Sequence, residues 1–445
     1  MTQILDQSDL ADRAQDLVAA AKRAGADAAD AVCVRGISLS VDVRLGKVEE
    51  TRRAEGDDFT LRVFVGKRSA SVSANVFADP ADLAERAVAM ARVAPEDRFA
   101  GLADPDRLAT EIPDLDLLDE TIPTADELTA AALATEDAAR AVPGVTNSGG
   151  AGAGWSLGGM VLATSHGFTG SYLGSHFSLS ASAIAGSGTQ MERDYEAEAK
   201  VYRTDLSDAE TIGRRAGDRA VKRLNPRKMA TGRATMVFDP RVSRGLVGSL
   251  AGAANGAAVA RKTSFLRNKL GEAIFPAAIT ITDDPKRPRG LGSRPFDGEG
   301  VAAELLDLVA GGVLKTWLLN SSTGRELGMP TNGRSRALGG GPATTNLTLL
   351  PGEQSPDDLI GSISHGLYVT EMIGRGANLV TGDYSRGAAG FVIENGKLGH
   401  PVSEITIAGN LGDMFATLVA ASDLEYRYAT NAPTVAIEGM TVAGQ

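Results

Sequence analysis

The sequence predicts an α+β protein: a two-part N-terminal region of helix–antiparallel strands–helix units, then a mostly β C-terminal domain with packing helices. Three observations predict it. The hydrophobic period switches from helical to alternating and back, twice, within the first 227 residues. After residue 228 the chain breaks into short apolar runs joined by Gly- and Asn-bearing turns. Glycine supplies 52 of 445 residues, well above the usual share of about 7%, so turns and close backbone approaches abound.

The elements follow in order. Ser8 reads as the N-cap of a first helix, with Leu10, Ala14, Leu17, Val18 and Ala21 at helical spacing and Gly25 closing it. From Ile37 the period becomes two, through Leu39, Val41 and Val43, and Gly46-Lys47 turns the chain. A second run, Phe59, Leu61, Val63 and Val65, turns at Gly66-Lys67 into a third through Val72 and Val76. Asp79-Pro80 opens the next helix, aspartate as cap and proline in the first turn. This α+β unit spans 1–98.

Residues 99–123 are acidic and proline-bearing, and read as a linker or surface strap. The second unit, 124–227, opens on the capping box Thr124-Ala-Asp-Glu127. Strands are expected over 157–164, 168–184 and 195–203, with Gly149 to Gly154 as a flexible break. Ser207-Asp-Ala-Glu210 reads as a second capping box, and that helix stops by Asn225-Pro226. In the third domain, 228–445, Thr235 to Phe238 is a buried strand and Pro240 starts an Ala/Gly-rich helix. Further strands are expected at 277–282, 313–319, 345–350, 367–371, 389–394 and 404–408.

Composition removes several functions. The formal net charge is −11 and the basic stretch Arg214 to Arg233 is interrupted by acidic and apolar residues, which argues against nucleic-acid binding through clustered cations. No apolar run approaches the roughly 18 residues of a membrane span. Cys33 is the single cysteine, so no internal disulfide forms, and a polar start at Asp6, Gln7 and Ser8 fits a cytoplasmic setting.

Motifs for chemistry are few. Gly150-Ala-Gly152-Ala-Gly154 opens like a dinucleotide fingerprint, but Trp155 occupies the third glycine's place. The four histidines, His166, His176, His365 and His400, form no His-x-x-x-His or His-Glu-x-x-His pair. Ser165-His166 and Ser364-His365 are sequence neighbours, which point to opposite faces of a strand. Gly366 to Gly396 carries the most information: its apolar strands are broken by Gly374, Gly376, Gly382, Gly387 and Gly390. Such glycines beside strands mean that a backbone lies close by, either a ligand's or the chain's own in a tightly turned hairpin.

The run GLYVTEMIGRGANLVTGDYSRGAAGFVIENG, then HPVSEITIAGN and DMF, resembles the TldD/TldE (PmbA) family, and its TldE/PmbA branch in particular. VRLGKVEETRRAEG at 43–56 and LRVFVGKRSASVSAN at 61–75 support the resemblance, which covers about residues 30–445. It implies a cytosolic metalloprotease of two kinds of subunit, historically labelled a DNA gyrase modulator, acting on unfolded peptides such as microcin leader peptides and an antitoxin. In that family a TldD-type subunit carries a His-Glu-x-x-x-His zinc helix and a later cysteine ligand, while its TldE-type partner lacks them.

By the register of the resemblance, Val247-Gly-Ser-Leu-Ala-Gly252 stands where that motif would be, so Val247, Gly248 and Gly252 replace its two imidazoles and its carboxylate. No cysteine follows residue 33. None of these side chains can ligate zinc or activate water. The expectation is therefore no catalytic residue and no cofactor in this chain. Zinc would reside in a TldD-type partner, in a heterodimer, with homodimerisation through the same face open to the chain alone. Glu371, Gly374, Gly376, Asn378, Asp383, Tyr384 and Arg386 are the candidates for a peptide groove or subunit interface. Two other classes remain: a self-contained hydrolase in which Glu371, Asp383, Tyr384 and Arg386 face one pocket, or a peptide-binding module without a protease. Asp383 and Arg386 are equally read as a structural ion pair.

Overall fold

The computed structural model describes residues 5–75, 78–374 and 376–444, Leu338 without its side chain. Val76 lies outside the described residues. Helix α1 (Ser8–Arg23) buries the expected stripe, Leu10, Ala14, Leu17, Val18 and Ala21. Its start corrects the sequence reading: Ser8 is the first helical residue, and its N–H donates to the Asp6 carboxylate at 2.9 Å. Gly25 closes the helix at φ +98°.

Strands β1 (Ala28–Arg44), β2 (Lys47–Val65) and β3 (Arg68–Asn75) form the expected meander, and α2 (Pro80–Val93) follows with Asp79 capping the N–H groups of Ala81 and Asp82. Residues 99–123 carry one 3-10 turn (Pro105–Arg107) and run as a strap, Leu117 accepting from the Ser175 N–H at 2.9 Å. Helix α3 (Ala125–Arg140) opens on the predicted Thr124–Glu127 capping box. Strands β4 (Val145–Thr164), β5 (Thr169–Ala185) and β6 (Glu192–Lys200) precede α4 (Ala209–Lys222). Here the cap moves by one residue: Asp208 accepts from the Thr211 N–H at 2.7 Å, while the Ser207 N–H goes to Glu198.

The two N-terminal units are halves of one sheet, ordered β3-β2-β1-β4-β5-β6, joined where β1 pairs antiparallel with β4. Gly149 to Gly154, expected as a break, lies inside β4. From Ala151 to Gly154 the strand is paired on both sides, with β1 and β5, while Gly149 and Gly150 fall where the register with β5 shifts, Gly150 at φ +103°. Helices α1 to α4 cover one face. Ala31, Cys33, Leu61, Val63 and Val161 meet α1 and α2, and Ala153, Trp155, Leu157 and Leu179 meet α3 and α4.

The C-terminal domain begins with β7 (Gly232–Phe238), α5 (Pro240–Ala253) and α6 (Gly256–Ala260). Five short strands make a second sheet, β10-β9-β8-β13-β18: β8 (Ile281–Asp283), β9 (Leu306–Ala310), β10 (Val313–Leu314), β13 (Leu347–Leu349) and β18 (Thr430–Asn431). Strands expected over 277–282 and 313–319 thus shorten. Gly311 and Gly312, both at positive φ, turn β9 into β10, and Asn320 soon caps α7 (Ser321–Leu327). A small hairpin, β11 (Ser335–Arg336) and β12 (Gly340–Pro342), and α8 (Pro356–Gly361) complete this part.

The last sheet holds β14 (His365–Ile373), β15 (Asp383–Glu394), β16 (Lys397–Asn410), β17 (Val419–Ala420) and β19 (Val435–Ala443), with α9 (Leu411–Ala416) after β16. Its order is β16-β15-β14-β7-β19-β17, and β16 also pairs with β19 through Thr406–Ala408. Strands β7, β14, β15, β16 and β19 therefore close on themselves, which removes most free edges. Leu246, Val247 and Leu250 of α5 share one core with Met236 and Phe238 of β7, Leu347 of the second sheet and Leu367 of β14. Burying each such aliphatic side chain contributes about 1.5–3 kcal/mol.

Candidate functional site

The site begins with α5. Asp239 caps it, accepting from the Arg241 N–H at 2.9 Å and from the Tyr368 hydroxyl at 3.0 Å, so the helix start is bolted to β14. Burial, then the Asp239 charge, pushes the Tyr368 phenol well above its ordinary value. Of the positions that the resemblance sets against the zinc motif, Val247 is buried in the core and Gly248 is exposed with open space around it. A Cβ on Gly252 would meet the Leu379 side chain at 2.8 Å. Neither an apolar core valine nor two glycines fit a zinc ion. Among the described residues no group of three His, Cys, Asp or Glu side chains is placed to hold a metal.

The glycine-rich candidates lie beside this helix. The Phe265 N–H donates to the Leu379 carbonyl at 2.8 Å, so the turn between β14 and β15 sits against the segment that follows α6. Asn378 accepts from Gly382 N–H through its carbonyl and from Val380 N–H through its side chain. A Cβ on Gly376 would fall on the Ser385 carbonyl, and one on Gly390 on the Tyr368 carbonyl. The close backbone at these two glycines is the hairpin's own. Gly374, at φ +80°, faces open space.

The four polar candidates do not converge. Glu371 leaves the hairpin and pairs at 2.5 Å with Arg223, the residue that ends α4. Asp383 accepts from the Thr381 hydroxyl at 2.6 Å and lies 3.5 Å from the Asn410 amide. Tyr384 is buried, which pushes its phenol up, and the neighbouring Arg386 pulls it down. The expected Asp383–Arg386 ion pair does not form among the described residues, because Asp383 is held in the turn by Thr381.

Two further features emerge from the tertiary arrangement. The first is an ion-pair seam. Glu192, Asp194, Glu196 and Glu198 alternate along β6, and three of them are under 9% exposed. Glu196 is paired with Arg219 (2.7 Å) and Arg427 (2.8 Å), Asp194 with Arg241 (2.9 Å) and Arg223 (3.5 Å). A stripe of carboxylates this buried requires its partners, and the C-terminal domain supplies Arg241 and Arg427. The signal was legible as Glu-x-Asp-x-Glu-x-Glu.

The second feature is a floor of small side chains. On the sheet face away from the helices, β4 presents Gly150, Gly152, Gly154, Ser156 and Gly158. Across the register Gly154 meets Ser40 and Ser178, Gly152 meets Asp42 and Ser180, and Ser156 meets Ser38 and His176. At one end of this face Phe296 of the C-terminal domain packs on Val32 and Leu162. Towards β6 the face opens into a cavity of about 510 Å³, lined by Asp42, Glu49, Glu50, Ser180, Arg193 and Tyr195 among others. Such a surface keeps little side-chain relief and admits a backbone closely.

Fold and site together define an α+β chain with a six-stranded sheet shared by two N-terminal units and a closed C-terminal sheet packed on α5. The comparisons agree with that class. The models for PmbA/TldA metallopeptidase domain 1, central domain and C-terminal domain match residues 29–91, 119–224 and 231–444. The chain is 36% identical over 429 residues to Metalloprotease PmbA of Escherichia coli O157:H7, covering 94% of this chain and 93% of that one. A solved structure from Bacteroides thetaiotaomicron, named as a modulator of DNA gyrase, is 30% identical with a TM-score of 0.91, covering 98% and 99% of the two chains. TldE from Thermococcus kodakarensis, 21% identical and covering 97% and 99%, shares the fold at a TM-score of 0.84. The chain belongs to the PmbA/TldD family of metallopeptidases. Among the described residues no helix is long and apolar enough to cross a membrane.

Proposed function

We propose that this chain is the non-catalytic, TldE/PmbA-type subunit of a cytoplasmic TldD/TldE metalloprotease. It pairs with a zinc-bearing TldD-type subunit, which supplies the metal and the activated water. Together they take unfolded peptides, such as microcin leader peptides or antitoxins. One observation carries the reading: the helix position of the family's zinc motif holds buried Val247, exposed Gly248 and Gly252 packed on Leu379. The Gly/Ser floor gives this subunit its share of the work, a smooth surface over which an extended peptide lies with little sequence preference.

The test is zinc content and peptidase activity of the purified chain, alone and mixed with a TldD-type subunit. An unstructured peptide is the substrate, with a chelator control. A metal-free, silent chain that yields a cleaving mixture is the expected result. Stoichiometric zinc and cleavage by the chain alone would overturn the proposal.

A further inference from the structure

A second cavity, of about 440 Å³, lies at the seam between the second N-terminal unit and the C-terminal domain. Its walls include Lys200, Arg287, Arg289, Tyr426 and Arg427, and Asp205 is the carboxylate among them. Two of its guanidiniums are built alike: Arg289 stacks on Tyr202 at 3.7 Å from the ring centre, and Arg287 on Tyr426 at 3.5 Å. Stacking fixes the plane of a guanidinium and leaves its N–H edge directed outward, in the fork that matches a carboxylate or phosphate.

The two stacks differ in what that edge meets. Arg289 spends its donors on Asp116 at 2.6 Å and Asp205 at 3.1 Å. Lys200 is 3.5 Å from Glu198, and Arg427 is committed to Glu196 at 2.8 Å. Arg287 has no carboxylate and no side-chain hydrogen bond among the described residues. It is nevertheless half-buried and held, since its carbonyl accepts from the Ser293 hydroxyl at 2.6 Å and from the Gly290 N–H at 3.1 Å. In a chain of net charge −11, a pre-oriented guanidinium that lines a cavity whose one lining carboxylate, Asp205, is taken by Arg289 is conspicuous.

We propose that this cavity is an oxyanion site with Arg287 as its anchor. The source that fits the proposed function, on which this inference rests, is a carboxylate of an extended acidic peptide; free phosphate shares the chemistry. The site would give this subunit a charge preference that the Gly/Ser floor lacks.

The experiment uses the full chain at fixed ionic strength, with a fluorescent eight-residue peptide rich in Asp and Glu, its Asn/Gln counterpart, and inorganic phosphate. The acidic peptide is expected to bind about tenfold or more tightly than the neutral one, the scale of one charge-assisted pair. Arg287→Ala should remove that difference and leave neutral-peptide binding unchanged. Arg287→Lys should retain part of it, which separates lost charge from a disturbed loop. Phosphate binding that Arg287→Ala abolishes, with no peptide preference, keeps the oxyanion site and assigns it to a small anion. Acidic peptide and phosphate that both ignore Arg287→Ala would overturn the inference. Failure of the chain to bind either peptide tells against the subunit reading instead, and the phosphate arm still decides the cavity.

Discussion

Replacing Glu299 by glutamine probes the contact between the first N-terminal unit and the C-terminal domain. Glu299 is 3% exposed and accepts from both the N–H and the hydroxyl of Ser321, at 2.9 and 2.7 Å. Beside it, Asp297 is fully buried and accepts from the N–H groups of Glu299, Val301 and Ser335. Burial, then the charge of Asp297, pushes the Glu299 carboxyl from 4.5 up to about 7. A carboxyl raised on folding holds its proton in the native state after the unfolded chain has lost it. Stability therefore falls as pH rises through the window from about 4.5 to about 7, and is level above it. The shift corresponds to about 3 kcal/mol, of which about 2–3 kcal/mol emerges between pH 5 and pH 8. Glutamine keeps an acceptor for Ser321 and removes the titration. Urea unfolding of both proteins at the two pH values is the assay. Glu299→Gln should gain on the natural chain by about 2–3 kcal/mol on going from pH 5 to pH 8. A difference between the two proteins that does not change with pH would refute the argument.

Four other outcomes are expected. Arg223→Ala strips the seam of the guanidinium that faces Glu192, Asp194 and Glu371; it should cost about 3–5 kcal/mol in urea unfolding, and an unchanged midpoint would mean the network is idle. Gly390→Ala drives a methyl into the Tyr368 carbonyl and should destabilise by about 3 kcal/mol. Gly374→Ala, at φ +80° in open space, should cost only about 1–2 kcal/mol; equal melting shifts for the two would show that local strain, not the close backbone, governs the hairpin. Ser180→Tyr raises a ring from the Gly/Ser floor and should suppress peptide cleavage by the mixed subunits without loosening their association, measured by sizing chromatography. Full activity in that variant would remove the floor from the peptide path.

Local chemistry was readable wherever a residue's neighbours in sequence decide its state. The stripe from Leu10 to Ala21, the Asp79-Pro80 cap and the Thr124–Glu127 box depend on contacts within a turn or two, and each appears as expected. Misreadings occur where a partner remote in sequence decides. Gly149 to Gly154 looks like a break because glycine lacks strand propensity, yet β1 and β5 pair with 151–154 on both sides and only Gly149 and Gly150 form an irregularity. Glu371, Asp383, Tyr384 and Arg386 look like a cluster because they are close in sequence. Alternation along the strands and a turn between them send Glu371 to Arg223, Asp383 to Thr381 and Tyr384 into the core.

By itself, then, the sequence determined the α+β class, which rests on residue type and short-range period, and the family, which rests on the resemblance of its motifs. Only the tertiary structure decided that two α+β units share one sheet, that the C-terminal strands close, and that Arg287 stacks on Tyr426 with no carboxylate partner among the described residues. Strand pairing and buried charge are satisfied by groups tens to hundreds of residues away, as where Arg427 meets Glu196. The linear pattern shows that such residues need a partner, and the folded chain shows which one they have.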